Sequence, residues 1–277
     1  MMTMGQQSLF AKQNFTDSKI CIGTSGYAYP DWKGQFYPAK LSNSKMLDYY
    51  AEIFDFCELN FSYYKMPSYQ QMKRYTEYPL TFSVKVPKEI THSRVDTSDV
   101  WEQFEEAIQP IVESNQLSMI VLQFPFSFQL NDINRAYLSY LTKRNQHLPL
   151  AVEFRNPAWQ EEKEFSVLRN NGVTLIATDA PAVNGGMAPL TSVTSESAYI
   201  RLHGRNSKEW WTGDNVSRYA HDYQKEELGE WIPRIEEMAK KTKKVYVAFN
   251  NHAGGKAPKN AIQLKKMLDN IRLMLEE

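Results

Sequence analysis

Short apolar runs recur along the chain, most of them alternating with polar positions at the period of two that a half-buried strand requires. Each leads through a loop to apolar positions at helical spacing. Lys19-Ile-Cys-Ile-Gly-Thr-Ser-Gly26 reads as a first strand that ends in small residues and enters an aromatic loop. Ser44 can cap a helix to about Asp55, with Met46, Leu47, Tyr50, Ala51 and Phe54 on one face. Phe56 to Phe61 alternates again. Pro67 opens a second helix, at a position where a missing N–H costs nothing. Thr81 to Pro87 is a third strand, followed by a helix from Ser98 to about Ser114. Met119 to Pro125 and a helix from Asp132 to Gln146 complete the first half.

The second half repeats the rhythm with one break. Leu150-Ala-Val-Glu-Phe-Arg-Asn-Pro-Ala-Trp159 begins as a buried strand and is stopped by Pro157. A helix over Glu161 to Asn170, a Gly172 stop and the strand Thr174 to Asp179 follow. Ala180 to Ser197 holds Pro181, Gly185, Gly186 and Pro189 without an amphipathic pattern, so one outer helix is replaced by a loop. Tyr199 to Gly204 is the seventh strand, and a helix from Tyr223 to Lys240 is interrupted by Pro233. Lys244 to Asn251 and a helix from Lys259 to Glu277 close the chain. Eight strands alternating with helices over roughly 250 residues predict a single (β/α)8 TIM-type barrel over residues 19–277, with residues 1–18 a flexible extension.

Parity within the strands then predicts a site. In the fifth strand Val152 and Phe154 share one face, and Ala151, Glu153 and Arg155 the other. The same rule turns Glu58, Asn60, Ser83, Lys85, Gln123, Asp179, Arg201, His203 and Asn250 inward, nearly all late in their strands. Burying that many polar groups is costly unless they pair with one another or with a ligand. Both outcomes stand: Glu58, Glu153 and Arg201 as an ion-pair plug, or the outer ring of Lys85, Arg155, Asp179, His203 and Asn250 as a ligand site at the barrel face where such sites lie.

Composition narrows the class. The 277 residues, 42% hydrophobic and 13% aromatic, can bury a sizeable core. Lys and Arg number 32 and Asp and Glu 32, so no global field favours nucleic acid or an anionic membrane. No apolar run approaches the roughly 18 residues of a membrane span. Only Cys21 and Cys57 occur, both in strand-like runs, which fits buried thiols in a reducing cytoplasm. The dinucleotide, P-loop and nucleophile-elbow motifs are absent, and no cofactor is expected. The supply of His203, His252, Glu153, Asp179 and His92 is thin for a catalytic metal, so none is expected.

Gly23-Thr-Ser-Gly26, Trp32-x-Gly34-x-Phe-Tyr-Pro38, Glu58-x-Asn60-x-Ser-Tyr-Tyr64, Thr91-His92, Leu122-Gln-Phe-Pro125, Glu153-Phe-Arg155, Arg201-x-His-Gly204 and Phe249-Asn-Asn251 recur in an order and spacing that resemble the YecE-like family, domain of unknown function 72. The resemblance runs from about residue 20 to the end. It implies a TIM-type barrel with these motifs gathered at one end, and no established reaction. Tyr27 stands where Trp is usual, and Phe126 where a second Pro is usual.

These readings predict a cytoplasmic enzyme acting on a small, polar, anionic and perhaps phosphorylated substrate at the C-terminal barrel mouth. Glu153 is the expected general acid or base, its pKa moved toward neutrality by burial and neighbouring charge. His203 or Asp179 is the second proton-transfer group, and Lys85 and Arg155 hold the anion. Thr24, Tyr27, Trp32, Asn60, Tyr64, His92, Gln123, Trp159, Arg201 and Arg205 complete the expected lining. The aromatic residues either seal loops or form a stacking platform for a sugar or base. Asn250-Asn251-His252-Ala253-Gly254-Gly255-Lys256 leads into the final helix and is an expected phosphate loop. The alternative is a nucleotide or nucleic-acid binder that uses Lys85, Arg94, Arg155, Arg205 and Lys256, in one form a metal-dependent phosphodiesterase resembling apurinic endonucleases.

Overall fold

Alternation along each strand builds two concentric apolar layers in the computed structural model, which describes residues 18–95, 97–181, 189–214 and 216–276. The strands are β1 Lys19–Ser25, β2 Phe56–Leu59, β3 Thr81–Lys85, β4 Leu117–Phe124, β5 Leu150–Phe154, β6 Thr174–Asp179, β7 Ser197–Leu202 and β8 Lys244–Phe249. All neighbours pair in parallel, and β8 returns to β1 to close the barrel in chain order. Cys21, Phe56, Met119, Val121, Ala151, Ile176, Tyr199, Tyr246 and Ala248 fill its interior. Ile22, Val84, Leu122, Val152, Phe154, Ile200 and Val247 face the helices. Each fully buried Val, Leu, Ile or Phe adds about 1.5–3 kcal/mol. The polar residues that follow on the inner face are therefore carried at the C-terminal end of a sealed apolar plug.

The outer ring comprises α1 Met46–Ala51, α2 Tyr69–Tyr75, α3 Thr97–Glu113, α4 Asp132–Arg144, α5 Ser166–Asn170, α6 Lys225–Gly229, α7 Ile232–Ala239 and α8 Lys256–Glu276. Several boundaries depart from the sequence reading: α1 follows a 3-10 turn at Asn43–Lys45 with no side-chain cap from Ser44, and the expected helix of 161–170 is an α-helix only from Ser166. Pro67 precedes α2, and the capping oxygen is Ser68 Oγ, which accepts the Gln71 N–H at 3.2 Å. Pro233 divides the expected helix of 223–240 and sits in the first turn of α7, where its missing N–H costs nothing. The final helix starts at Lys256, three residues before the expected Lys259.

Among the described residues between β6 and β7 there is no helix; Gly185 and Gly186 lie outside them, as does the expected N-terminal extension apart from Ser18. Side-chain hydrogen bonds fasten this crossing instead. Thr194 Oγ1 accepts the Leu175 N–H at 2.7 Å and donates to the Val173 carbonyl at 2.6 Å, and Thr174 and Ser195 hydroxyls meet at 2.7 Å. No helix among the described residues is long and apolar enough to cross a membrane. Cys21 and Cys57 are buried free thiols.

Candidate functional site

The polar layer begins with Glu58, wholly buried on β2. Its Oε1 accepts from Ser25 Oγ and Arg201 Nη2, each at 2.7 Å, and its Oε2 accepts the Tyr199 hydroxyl at 2.8 Å. Arg201 Nη1 reaches on to Glu153 Oε2, so one guanidinium bridges two carboxylates. Above it Arg155 Nε lies against Glu153 Oε1 as an ion pair outside hydrogen-bond geometry. Glu58, Arg201, Glu153 and Arg155 thus alternate in sign up the barrel axis and balance one another.

His203 completes the layer. Its Nε2 lies 3.1 Å from Glu153 Oε1, and Asn250 Nδ2 lies 2.9 Å from its Nδ1. One neutral tautomer satisfies both contacts, with Nε2–H donating to the carboxylate and Nδ1 accepting from the amide. Burial first, then the Arg155 guanidinium 3.2 Å from Nε2, holds the imidazole down to about 3, although Glu153 pulls the other way. Burial alone raises a carboxyl, yet Arg155, Arg201 and His203 together hold Glu153 well below the usual carboxylate range. Arg201 and its hydroxyl donors likewise keep Glu58 low against burial. The expected near-neutral Glu153 is therefore corrected: it is a fixed anion, too weak a base for proton abstraction near neutrality.

A pH dependence of stability follows. An unfolded His203 takes up a proton near 6.5 and the folded one near 3, so stability falls as pH drops through that window. His92, held to about 4 by burial and then by Lys85, Arg94 and Arg155, adds to the same slope. Below about 4.5 the depressed Glu58 and Glu153 add their own loss. Urea unfolding of His203→Gln between pH 6 and 5 is expected to lose a slope of about 1.4 kcal/mol per pH unit relative to wild type. An unchanged slope would show that His203 is charged in the native protein.

A cavity of about 290 Å³ opens above this layer. Its wall carries Lys85, Gln123, Arg155 and Thr178 from strand ends, His92 and the Tyr63–Tyr64 pair from the loops after β3 and β2, and Pro125, Phe126 and Ala180. Trp210, Trp211, Arg218 and Tyr219 close it from the loop after β7. Lys85 Nζ donates to Gln123 Oε1 at 2.8 Å and stands 4.1 Å over the Tyr63 ring. Burial first, then Arg201 and Arg155, bring its ammonium down to about 7, against the pull of Glu153 and Glu58. Phe126 and Trp211, from loops on opposite sides, meet edge to face at 5.4 Å on the rim.

Of the expected site residues, Lys85, Gln123, Arg155, Tyr64 and His92 share this cavity, with Glu153, Arg201, His203 and Asn250 in the buried floor. Asn60 keeps a buried Oδ1 without a partner but is not in the wall. Several others lie elsewhere. Asp179 is turned outward: Ile176 belongs to the barrel interior and Thr178 to the cavity, so Asp179 points at the helices, where its Oδ2 accepts from Trp231 Nε1 at 2.7 Å. Arg205 follows it there and pairs with Asp179 at 3.0 Å and Glu230 at 2.8 Å. Thr24 shares the outward parity of Ile22, and its hydroxyl bonds the Gly26 carbonyl and Tyr50. Tyr27 meets Tyr75, Trp32 Nε1 donates to the His252 carbonyl, and Trp159 stacks on Phe154 and donates to the Phe128 carbonyl. These rings seal loops, because a buried ring with its polar edge satisfied gains more than one left at a wet rim.

The expected phosphate loop is occupied from within the chain. Gly254 N–H donates to Asp31 Oδ2 at 2.7 Å, and Gly255, at φ +72°, packs so that a Cβ would fall 2.9 Å from Gln35 Cβ. Asn251 is buried and bonds the His221 carbonyl and Asn260, while Lys256 begins α8 outside the cavity wall. Arg218, Tyr219 and Thr178 were not anticipated. The first two sit in an irregular loop that carries no periodic signal. Thr178 is findable only if the parity of β6 is taken from Ile176. Among the described residues no three His, Cys, Asp or Glu side chains gather as a metal site.

The family model described as "Protein of unknown function DUF72" matches residues 21–276. The UPF0759 protein YunF of Bacillus subtilis is 31% identical over 270 residues, covering 90% of this chain and 95% of that protein. The crystal structure of a DUF72 family protein from Thermotoga maritima shares the fold at a TM-score of 0.85 and 36% identity, covering 91% of this chain and 99% of that one. A second, from Enterococcus faecalis, gives 0.80 at 25% identity, covering 90% and 95%. With its matching model spanning the whole barrel, the chain belongs to the DUF72 family of proteins of unknown function.

Proposed function

We propose that the barrel mouth binds a small anionic molecule and acts on it by proton transfer, with Lys85 as the titrating group. The observation that carries this is the charge of the wall. Among the described residues Lys85, Arg155 and Arg218 line the cavity and no carboxylate does, while Glu58 and Glu153 in the floor are already offset by Arg201 and Arg155. Arg218 Nε is buried with no partner among the described residues, which leaves a donor for a ligand oxygen. The aromatic wall suits the apolar face of a sugar or a planar ring, and a volume of about 290 Å³ suits a small metabolite. A lysine that changes charge near pH 7 can both give and take a proton at neutrality. The buried thiols fit action in the reducing cytoplasm.

A thermal-shift screen of phosphorylated sugars, nucleotides and small carboxylates tests this reading. An anion that raises the melting temperature is expected to bind about tenfold more weakly to Arg218→Gln, and more weakly above pH 7 than below it as Lys85 loses its charge. Equal affinity in the folded variant, or tighter and steeply salt-dependent binding of a single-stranded oligonucleotide, would overturn it.

A further inference from the structure

We infer that Lys85 is a covalent amine, condensing through Nζ with the carbonyl carbon of a small anionic aldehyde or ketone. This rests on the anion-binding reading of the same cavity and adds the substrate class. The contacts of Nζ are the Gln123 amide oxygen and the face of Tyr63. Among the described residues no carboxylate is within ion-pair distance of it, whereas Arg155, Arg201 and Arg205 each have at least one. A lysine kept for its charge alone is better placed against a carboxylate. An amine kept as a nucleophile needs its lone pair free and a carbonyl carbon beside it. Arg155 and Arg218 share the wall with Nζ, so they can hold a carboxylate or phosphate group while the carbonyl of the same molecule faces the amine. Enclosure and the neighbouring guanidiniums bring the Lys85 amine down to about 7, which favours the uncharged form far more than in an ordinary lysine.

The step balances within the cavity. The Nζ lone pair forms the N–C bond, and the carbonyl π pair moves to oxygen, which takes the proton leaving nitrogen. A second proton on that oxygen expels water as the nitrogen lone pair closes the C=N bond. Solvent water in the cavity supplies this proton and recovers one when the iminium is deprotonated or hydrolysed, while Tyr63 offers Nζ only the face of its ring. The products are the imine and one water, with no other reactant. The iminium then withdraws electrons from the adjoining carbon, which is what a proton-transfer reaction next to a carbonyl requires.

The test treats the full-length protein at pH 7.5 with glyoxylate or pyruvate and cyanoborohydride, followed by peptide mapping. A reduced adduct is expected on Lys85 at least about tenfold faster than on any other lysine, since the rate follows the free-amine fraction. Inorganic phosphate should slow it, and Lys85→Arg, shown by circular dichroism to be folded, should lose it. Lactate, with the charge of pyruvate but no carbonyl, is titrated in parallel by calorimetry against both proteins. If lactate, pyruvate or phosphate binds but no adduct favours Lys85, the covalent role is overturned and the anion site stands. If none of these anions binds and labelling is even across the lysines, both fall.

Discussion

Arg201→Met is expected to lower the unfolding free energy by about 3–5 kcal/mol, the cost of breaking a buried ion pair from one side. Arg201 is 2% exposed, and Glu58 and Glu153 are wholly buried. Removing the guanidinium strands Glu58 with only neutral donors, Ser25 and Tyr199, and leaves Glu153 to Arg155 and His203. Glu58, left without a cation, then responds to burial and rises in pKa, so the deficit should be largest near pH 7 and shrink toward pH 5 as it protonates. Urea unfolding at the two pH values measures this. Adding Glu58→Gln to Arg201→Met should recover part of the loss, because an amide costs less to bury than an unpaired anion. A single-variant loss under about 1 kcal/mol would mean that water reaches the barrel axis and the ladder of charges is not dry.

Replacing Arg155 by Ala is expected to weaken the ligand found by the thermal-shift screen about a hundredfold, the loss of a charge-assisted pair of hydrogen bonds in an enclosed wall. Arg155 belongs to both floor and wall: it rests on Glu153, contacts His203 and stands 5.4 Å over Trp210. Its removal should therefore also let the His203 imidazole rise from about 3 toward its ordinary value, because Arg155 is the largest cause after burial holding it down. Calorimetry reads the first effect and histidine NMR titration the second. Unchanged affinity with a shifted His203 would confine Arg155 to the floor and remove it from ligand binding.

Periodicity alone settles the regular part of the molecule. Val152 and Phe154 against Ala151 and Glu153 is a period of two with unambiguous faces, and the register of β5 with β4 keeps Gln123 opposite Glu153. Eight strand-like runs, most of them alternating and most followed by a helix, leave little choice but a closed parallel barrel, and the strand-end positions of Lys85, Arg155 and His203 follow from counting along each run. Where a run lacks alternation, counting fails. Leu175-Ile-Ala177 is apolar throughout, so nothing local tells whether Thr178 or Asp179 turns inward, and the barrel closure chose Thr178. The aromatic loops fail differently, since Trp32 and Trp159 follow strands like the cavity residues do yet find buried acceptors at His252 and Phe128. Charge state is decided by tertiary structure alone. Glu153 is a fixed anion because Arg155 and Arg201, the latter from a distant strand, meet it in a dry space; Lys85 is brought down to about 7 by burial first and then by Arg201 and Arg155, against the pull of Glu153 and Glu58. A pattern of period two fixes which way a side chain points, whereas pKa depends on burial and on charges a few ångströms away, and only the closed barrel sets those distances.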